Sequence, residues 1–438
     1  MPLEQTDMAV RAPGRGVRQI AIISEHASPL ASPGSIDCGG QNVYVASLAR
    51  ELALAGYLVD IFTRRDAFGQ KQVVRWGENI RVIHVPAGPA HYVPKEQMLP
   101  YMDTFSRFVT RFTRRQPQPY DIVHANFFMS GMVAQHLKET LGIPFVITFH
   151  ALGHVRRLAQ GAADTFPPAR LRIEDDLMRN ADCIIAECPQ DKLDMERLYG
   201  APSERIEIAP CGFDPHELWP VPRRFARAQL DLSPDKFIVL QLGRMVPRKG
   251  VDTVIQGIAL LRECHGVDAE LLVVGGEQKR RGGRESPELM RLRALAAELG
   301  VVQYVHFTGR KDRSELRDYY GAADVFVTTP WYEPFGITPV EAMACARPVI
   351  GAEVGGIKST VIDGESGFLI PSRDPQALAE RLAVLRNNPE LAQIMGEEGL
   401  RRAYQHYTWR TVARRAAEIY ATVVHGAAVE PAPSYSEI

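Results

Sequence analysis

Short apolar runs alternate with stretches of helical period along almost the whole chain. Gln19 to Ile23 reads as a strand. Gln41 to Ala55 reads as a helix, with Val45, Leu48 and Leu52 on one stripe and Gly56 just past its end. Further strands are predicted at Leu58 to Thr63, Ile80 to Val85, Asp121 to Ala125, Pro144 to Thr148 and Cys183 to Ala186, with helical segments between several of them. The pattern then restarts. Phe237 to Leu242 is a strand of the continuous-apolar, buried kind, followed by a helix from Gly250 to Leu261, a strand from Glu270 to Val274 and a helix from Pro287 to Leu299. Val305 to Thr308, Val325 to Thr328, Pro348 to Gly351 and Gly367 to Ile370 complete the strands. Helices follow at Pro375 to Arg386, Pro389 to Tyr407 and Trp409 to Val424.

Strand–helix alternation of this kind predicts α/β architecture: two doubly wound, Rossmann-like parallel sheets, each covered on both faces, facing each other across a cleft. Ligands in such sheets bind outside the carboxyl ends of the strands. The turn-rich segment Ala209-Pro-Cys-Gly-Phe-Asp-Pro-His places a boundary near Gly212. The expected units are 1–212, 213–402, a helical stretch 403–425 and a frayed tail 426–438.

Composition narrows the function. The chain has 438 residues, 45% hydrophobic and 24% charged, with a formal net charge of -1. That balance suits a soluble globular protein and gives no electrostatic case for nucleic acid as a partner. The six cysteines, at 38, 183, 188, 211, 264 and 345, match no zinc spacing and are expected to be reduced thiols, mostly small core residues. The first residues lack the apolar run of a signal peptide, and no stretch has the apolar length of a membrane span, so a cytoplasmic location without an integral membrane segment is expected. The basic runs Arg111 to Arg115 and Lys279 to Arg284 read as solvated faces.

Candidate chemistry clusters at strand ends. Gly243-Arg244 closes a buried strand and leads through Met245-Val-Pro-Arg248 to Lys249-Gly250, where a helix begins. Two cations beside a helix N-terminus suit a diphosphate, although a solvated basic loop has the same sequence signature. Glu333 and Glu341 flank a glycine-containing turn that opens another helix, and the backbone N–H groups of Phe335, Gly336 and Ile337 follow one another there. Thr338-Pro339-Val340-Glu341 also reads as a capping box, which would give Glu341 a purely structural role. Glu333 has no such alternative. Gly39-Gly40-Gln41-Asn42 opens the first long helix, where two glycines permit close approach of backbone to ligand. His124 and His150 end strands; a lone strand-end histidine is more often structural than functional. There is no Gly-x-Gly-x-x-Gly, P-loop or nucleophile elbow. The carboxylates and histidines lack the spacing of a zinc site and the aspartate clusters that hold magnesium, so no metal is expected.

Four motifs occur in order: Gly-Gly-Gln-Asn-Val-Tyr-Val, Gly-Arg-Met-Val-Pro-Arg-Lys-Gly, Glu-Pro-Phe-Gly-Ile-Thr-Pro-Val-Glu-Ala-Met-Ala and Val354-Gly-Gly-Ile. Through them the chain, from about Ile20 to Val424, resembles the retaining glycosyltransferases of family 4, which have the two-domain GT-B fold. Glu333 and Glu341, seven residues apart, match that family's paired-glutamate signature. The resemblance implies an N-terminal acceptor domain, a C-terminal nucleotide-sugar domain and a last helix that returns to the first domain. It implies that Arg244 and Lys249 bind the donor diphosphate. Glu333, with the backbone of Phe335, Gly336 and Ile337, would hold the transferred sugar, and Glu341 the ribose hydroxyls. His150 would lie at the reaction centre and Gly39-Gly40 against the diphosphate. Cationic and acidic pairs would thus grip opposite ends of one activated sugar.

Gly-Gly-Gln-Asn-Val-Tyr, Ala87-Gly-Pro and Lys95 look like the enzymes that glycosylate inositol phosphate, and His150-Ala-Leu-Gly is similar to sucrose-phosphate synthases. That likeness makes Gln41, Asn42, Lys95, Phe127, Ala151 and Arg172 (or Arg170) the acceptor-site candidates. The inositol-phosphate enzymes carry Tyr and Thr hydroxyls where this chain has Phe127 and Ala151. The implied reaction is metal-independent transfer of glucose or N-acetylglucosamine from a UDP-sugar to a small hydroxylated acceptor. The nucleotide sugar, UDP-glucose or UDP-N-acetylglucosamine, is a substrate, and no cofactor is implied. A homodimer is left open. Two other readings stand beside it: a GT-B-like UDP-sugar epimerase, and a non-catalytic sugar-nucleotide-binding protein.

Overall fold

A computed structural model describes residues 17–31, 39–276 and 285–426. The first sheet has the spatial order β3-β4-β2-β1-β5-β6-β7-β8. Its strands are β1 (Gln19–Ile23), β2 (Leu58–Arg64), β3 (Val73–Gly77), β4 (Ile80–Val85), β5 (Ile122–Asn126), β6 (Phe145–Thr148), β7 (Cys183–Ala186) and β8 (Ile206–Ile208). The second has the order β11-β10-β9-β12-β13-β14, built from β9 (Phe237–Leu242), β10 (Ala269–Val274), β11 (Val305–Gly309), β12 (Val325–Thr328), β13 (Val349–Ala352) and β14 (Gly367–Ile370).

Every strand pair is parallel except β3 with β4. The central strands are buried on both faces, which is why they read as unbroken apolar runs. The pattern missed β3 and β8. In β3 (Val-Val-Arg-Trp-Gly) exposed and half-buried positions alternate, as suits an antiparallel edge, and β8 spans only three residues. Chain order reverses next to β1 in one sheet and next to β9 in the other, so ligand crevices are expected outside the carboxyl ends of those strands.

The chain passes between the halves twice, and the two passages are paired. Phe213 N donates to Tyr407 O at 2.8 Å and Trp409 N to Phe213 O at 3.1 Å. Gly212 is required there, because a Cβ would lie 2.7 Å from the Tyr407 carbonyl oxygen. After the second passage the helix Trp409–His425 packs on the first long helix, Gly40–Leu54, with Tyr44 edge-on to Trp409 at 5.8 Å. Tyr420 reaches through to His124 Nδ1 at 2.7 Å, and Thr148 holds His124 Nε2 at 2.9 Å. His124 is therefore a fully buried core histidine.

Four of the six cysteines are buried free thiols, Cys264 is exposed, and Cys38 lies outside the described residues. Arg111, Arg114 and Arg115 are solvated, whereas Lys279 to Arg284 lies outside the described residues. Among the described residues no helix is long and apolar enough to cross a membrane, and no three His, Cys, Asp or Glu side chains are grouped to hold a metal ion.

Candidate functional site

In the second half, β9 ends at Leu242 and the chain leaves the sheet through Gly243 (φ 154°). A single 3-10 turn, Pro247–Lys249, then delivers Gly250 (φ 66°) to the start of the helix Val251–His265. A Cβ at position 250 would sit 1.9 Å from the Thr329 carbonyl oxygen, so only glycine lets this turn press against the loop after β12. The contact brings Lys249 Nζ onto Glu333 Oε2, with Arg248 Nη1 3.8 Å from the same oxygen. The Arg248 guanidinium also covers the Tyr332 ring at 5.1 Å.

The Val354-Gly-Gly-Ile motif supports that loop from behind. Gly356 N donates to Glu333 O at 3.1 Å, and a Cβ at Gly355 would lie 1.8 Å from the same carbonyl oxygen. Burial alone would push the Glu333 carboxyl up; Lys249, Arg248 and Arg244 outweigh it and hold it below the usual carboxylate range. Burial pushes the Lys249 ammonium down against the pull of Glu333. The cationic and acidic groups therefore do not stand at opposite ends of a vacant slot. Lys249 and Glu333 neutralise each other.

The capping box expected at Thr338 does not form. Gly336 (φ 92°) is the N-cap, the helix runs Ile337–Ala344, and no side chain caps it. A left-handed glycine lets the helix begin before Thr338, which leaves Glu341 in the helix body rather than at its mouth. Glu341 is buried, accepts from Tyr320 Oη at 2.9 Å and pairs with Arg313 Nη1 at 3.2 Å. Among the described residues the N–H groups of Phe335, Gly336 and Ile337 have no backbone acceptor, so they form a donor row at the helix mouth.

The first half presents its own strand ends. After β1 come Ser24, Glu25 and His26. Glu25, fully buried, accepts from His26 Nδ1 at 2.7 Å and from Ser130 Oγ. Phe127, after β5, and His150, just beyond β6, take positive φ angles of 86° and 57°, uncommon for residues with side chains. His150 Nδ1 lies 3.0 Å from Glu187 Oε1 and Nε2 lies 3.0 Å from the Asn126 side-chain amide, with Tyr44 edge-on at 4.8 Å. Cys211 Sγ donates to the same Glu187 oxygen at 3.0 Å.

Other acceptor-site candidates divide. Gln41 Nε2 reaches Ser24 Oγ at 3.3 Å and the Asn126 carbonyl oxygen at 3.2 Å, at the strand ends. Asn42 is structural instead: its Oδ1 accepts from Gly39 N at 2.9 Å and its Nδ2 donates to Ser28 O at 3.0 Å, so its amide caps the helix. Arg170 and Arg172 are separated by half a turn of the helix Ala169–Asn180 and so point to opposite faces. Arg170 is buried behind Phe127, while Arg172 lines an outer surface groove with Gln135, His136 and Asp176. Arg172 thus leaves the candidate set. The Ala151 carbonyl oxygen accepts from Arg170 Nη2. Lys95 lies on the 3-10 turn Lys95–Gln97 and is engaged within the chain.

The halves meet where these strand ends converge. A Cβ at Gly39 would come 3.9 Å from the Arg244 guanidinium, and one at Gly40 3.4 Å from Ile337 Cδ1. Gln160 Nε2 donates to Tyr332 Oη at 2.6 Å and Cys188 Sγ to Pro334 O at 3.3 Å, so the Glu333 loop lies against the first half. Sequence reading passed over Glu25, His26, Glu187 and Arg313. For the first two a signal existed, since Ser-Glu-His directly follows a buried strand. Arg313 sits in an ordinary first helical turn and announces nothing.

Residues 222–402 match the glycosyl transferases group 1 family, and residues 39–212 match the glycosyl transferase 4-like domain. The chain is 35% identical over 407 residues to D-inositol 3-phosphate glycosyltransferase 2 of Catenulispora acidiphila, covering 92% of this chain and 94% of that protein. It is 34% identical over 408 residues to the D-inositol 3-phosphate glycosyltransferase of Corynebacterium glutamicum, covering 92% and 96%. Among solved structures, the sucrose-phosphate synthase of Thermosynechococcus elongatus superimposes with a TM-score of 0.85 at 33% identity, covering 94% of this chain and all of that one. Anabaena HepE, solved with UDP and glucose, has a TM-score of 0.70 at 21% identity over 92% of this chain and 99% of its own, a likeness of fold. The chain belongs to the group 1, family 4-type glycosyltransferases and has their GT-B fold.

Proposed function

We propose that the protein is a retaining hexosyltransferase that moves glucose or N-acetylglucosamine from a UDP-sugar to a small hydroxylated acceptor, without a metal. One observation carries the reading: Lys249, Arg248 and Arg244 gather around Glu333 at the carboxyl edge of one sheet, directly opposite the Gly39-Gly40 helix start of the other.

The donor diphosphate takes Lys249 from Glu333 and lies beside Arg244, where the glycines admit its oxygens. Glu333, released, accepts hydrogen bonds from the sugar, and the N–H row of Phe335 to Ile337 faces it. Glu341, held by Tyr320 and Arg313, turns toward the ribose. His150, fixed by Glu187 and Asn126, forms the wall at the reacting carbon. In the transfer step the bond from the anomeric carbon to the diphosphate oxygen breaks, and a bond to the acceptor oxygen forms on the same face. The departing diphosphate oxygen takes the acceptor's proton. The protein supplies positioning and cationic charge for the leaving group. The 1–212 and 213–402 units serve as acceptor and donor lobes in this scheme.

Incubation with UDP-glucose, UDP-N-acetylglucosamine, ADP-glucose and GDP-mannose, each with a pool of sugars and polyols, tests the reading. A new glycoside with retained anomeric configuration and stoichiometric UDP is expected, unaffected by a chelator. Rearranged UDP-sugar without glycoside points to the epimerase reading, and unchanged donors point to binding alone.

A further inference from the structure

We infer that Arg248 is a positioning residue for the transfer: when the donor diphosphate draws Lys249 away, Arg248 takes over Glu333, so the carboxylate stays paired and aimed at the sugar. This deepens the transferase reading above and rests on it.

Two cations on one turn face Glu333, and one of them is bonded to it. Lys249 Nζ donates to Oε2, while Arg248 Nη1 stands 3.8 Å from the same oxygen. That Nη1 is buried and has no hydrogen-bond partner. Both main chains are anchored. Trp331 N donates to Arg248 O at 2.9 Å, which ties the 3-10 turn to the Glu333 loop, and Gly356 N donates to Glu333 O at 3.1 Å. The guanidinium lies over the Tyr332 ring at 5.1 Å, and Gln160 of the first half holds that ring by its hydroxyl. Closing the gap of 3.8 Å to hydrogen-bond distance takes about 1 Å of side-chain movement.

The need for a second cation follows from burial. The Glu333, Lys249 and Arg248 side chains are 14%, 17% and 17% exposed. A carboxylate at that depth that loses its bonded cation either takes up a proton or repels the incoming anion. The groups facing it come from three elements. Lys249 and Arg248 lie on the turn, and Arg244 lies on the loop after β9. From the connection between the halves comes the Cys211 thiol, which burial and Glu187 push up, with Glu333 adding to them. The thiol donates to Glu187, and the Arg244 guanidinium reaches toward Gly39. Arg248 is therefore the cation left beside the Glu333 oxygen. Its planar fork, stacked on a ring, stays in place while a lysine stem swings.

Calorimetric titration of the full chain with UDP is run at about pH 7.5, where a terminal phosphate has already lost nearly all its own protons. Repeating it in buffers of different ionisation enthalpy counts the protons taken up on binding. The parent is expected to bind UDP without net uptake; uptake would mean a stranded Glu333 and overturns the inference. Arg248→Met, which keeps an apolar stem over Tyr332, should weaken UDP about tenfold and add about half a proton of uptake per UDP. Arg248→Lys, which returns a cation, should recover the affinity and abolish the uptake. In the Glu333→Gln background there is no carboxylate to protect, so Arg248→Met should cost less than about twofold. An undiminished penalty there assigns Arg248 to the phosphates directly and overturns the inference, as does a methionine variant that binds like the parent. If that variant does not fold, the proton count of the parent still decides. Absence of UDP binding by the parent overturns the donor reading beneath it.

Discussion

Across one cleft, the two sheet edges handle charge in opposite ways. In the second half, Lys249, Arg248 and Glu333 pair with one another, their side chains 14–17% exposed. In the first half, Glu25, Glu187 and Glu174 are held by hydrogen bonds from histidine, serine, cysteine, tyrosine and arginine partners. In the proposed scheme, the donor side is thus a clamp of paired charges and the acceptor side a wall of hydrogen-bonded side chains. The difference follows the chemistry expected of each ligand. A diphosphate is gripped by charge that can be traded, whereas a hydroxyl must be oriented by groups that do not move.

The sharpest way to break this contrast is Lys249→Ala. With the leaving group's cation gone, kcat should fall by about 10²–10³ while a cooperative melting transition persists, measured as UDP release and by calorimetry. Turnover near the parent's rate would remove the clamp. Next is Gly250→Ala, which forces a Cβ into the Thr329 carbonyl oxygen at a left-handed position. A loss of about 3 kcal/mol in denaturant unfolding is expected, together with weakened UDP binding.

The wired side makes a pH prediction. Burial pushes His124 down to about 3, with His150 adding to it, whereas unfolded histidine titrates near 6.5. Between those values the unfolded chain holds the extra proton, so stability drops as pH falls from 6.5 toward 3, by at most ~1.4 kcal/mol per unit. Urea midpoints across this range should show a shallower slope in His124→Gln; an unchanged slope would mean the histidine is not locked neutral. The smallest effect is expected from Arg172→Ala, within about 0.5 kcal/mol in stability and without change in turnover. A large loss of turnover there would return the outer groove to the acceptor path.

Legibility in the sequence follows the same divide. The edge of the second sheet is encoded in contiguous motifs, because one loop and one helix start supply most of it. Gly250, Gly355 and Gly356 show why: each is demanded by a carbonyl oxygen that sits where a Cβ would go. The strands were readable because burial on both faces makes them uniformly apolar, and the short β8 and alternating β3 escaped for lack of that signal. The edge of the first sheet is assembled from residues far apart in the chain, such as Glu25 with Ser130 and His150 with Glu187. No spacing rule links them, and only the sheet order brings them together. Arg170 and Arg172 could not be separated until the helix fixed which face each occupies. The misread capping box at Thr338 had a local cause, since Gly336 offers an earlier, left-handed start that propensity does not weigh.

The side-by-side passage of Phe213 and Thr408 has a mechanical corollary. Two connections bonded to each other form one spine, so any parting of the lobes would swing about that line rather than slide. Displacement then grows with distance from the spine. In such a swing the rim farthest from the spine would travel most, and the residues beside the spine would keep their mutual spacing.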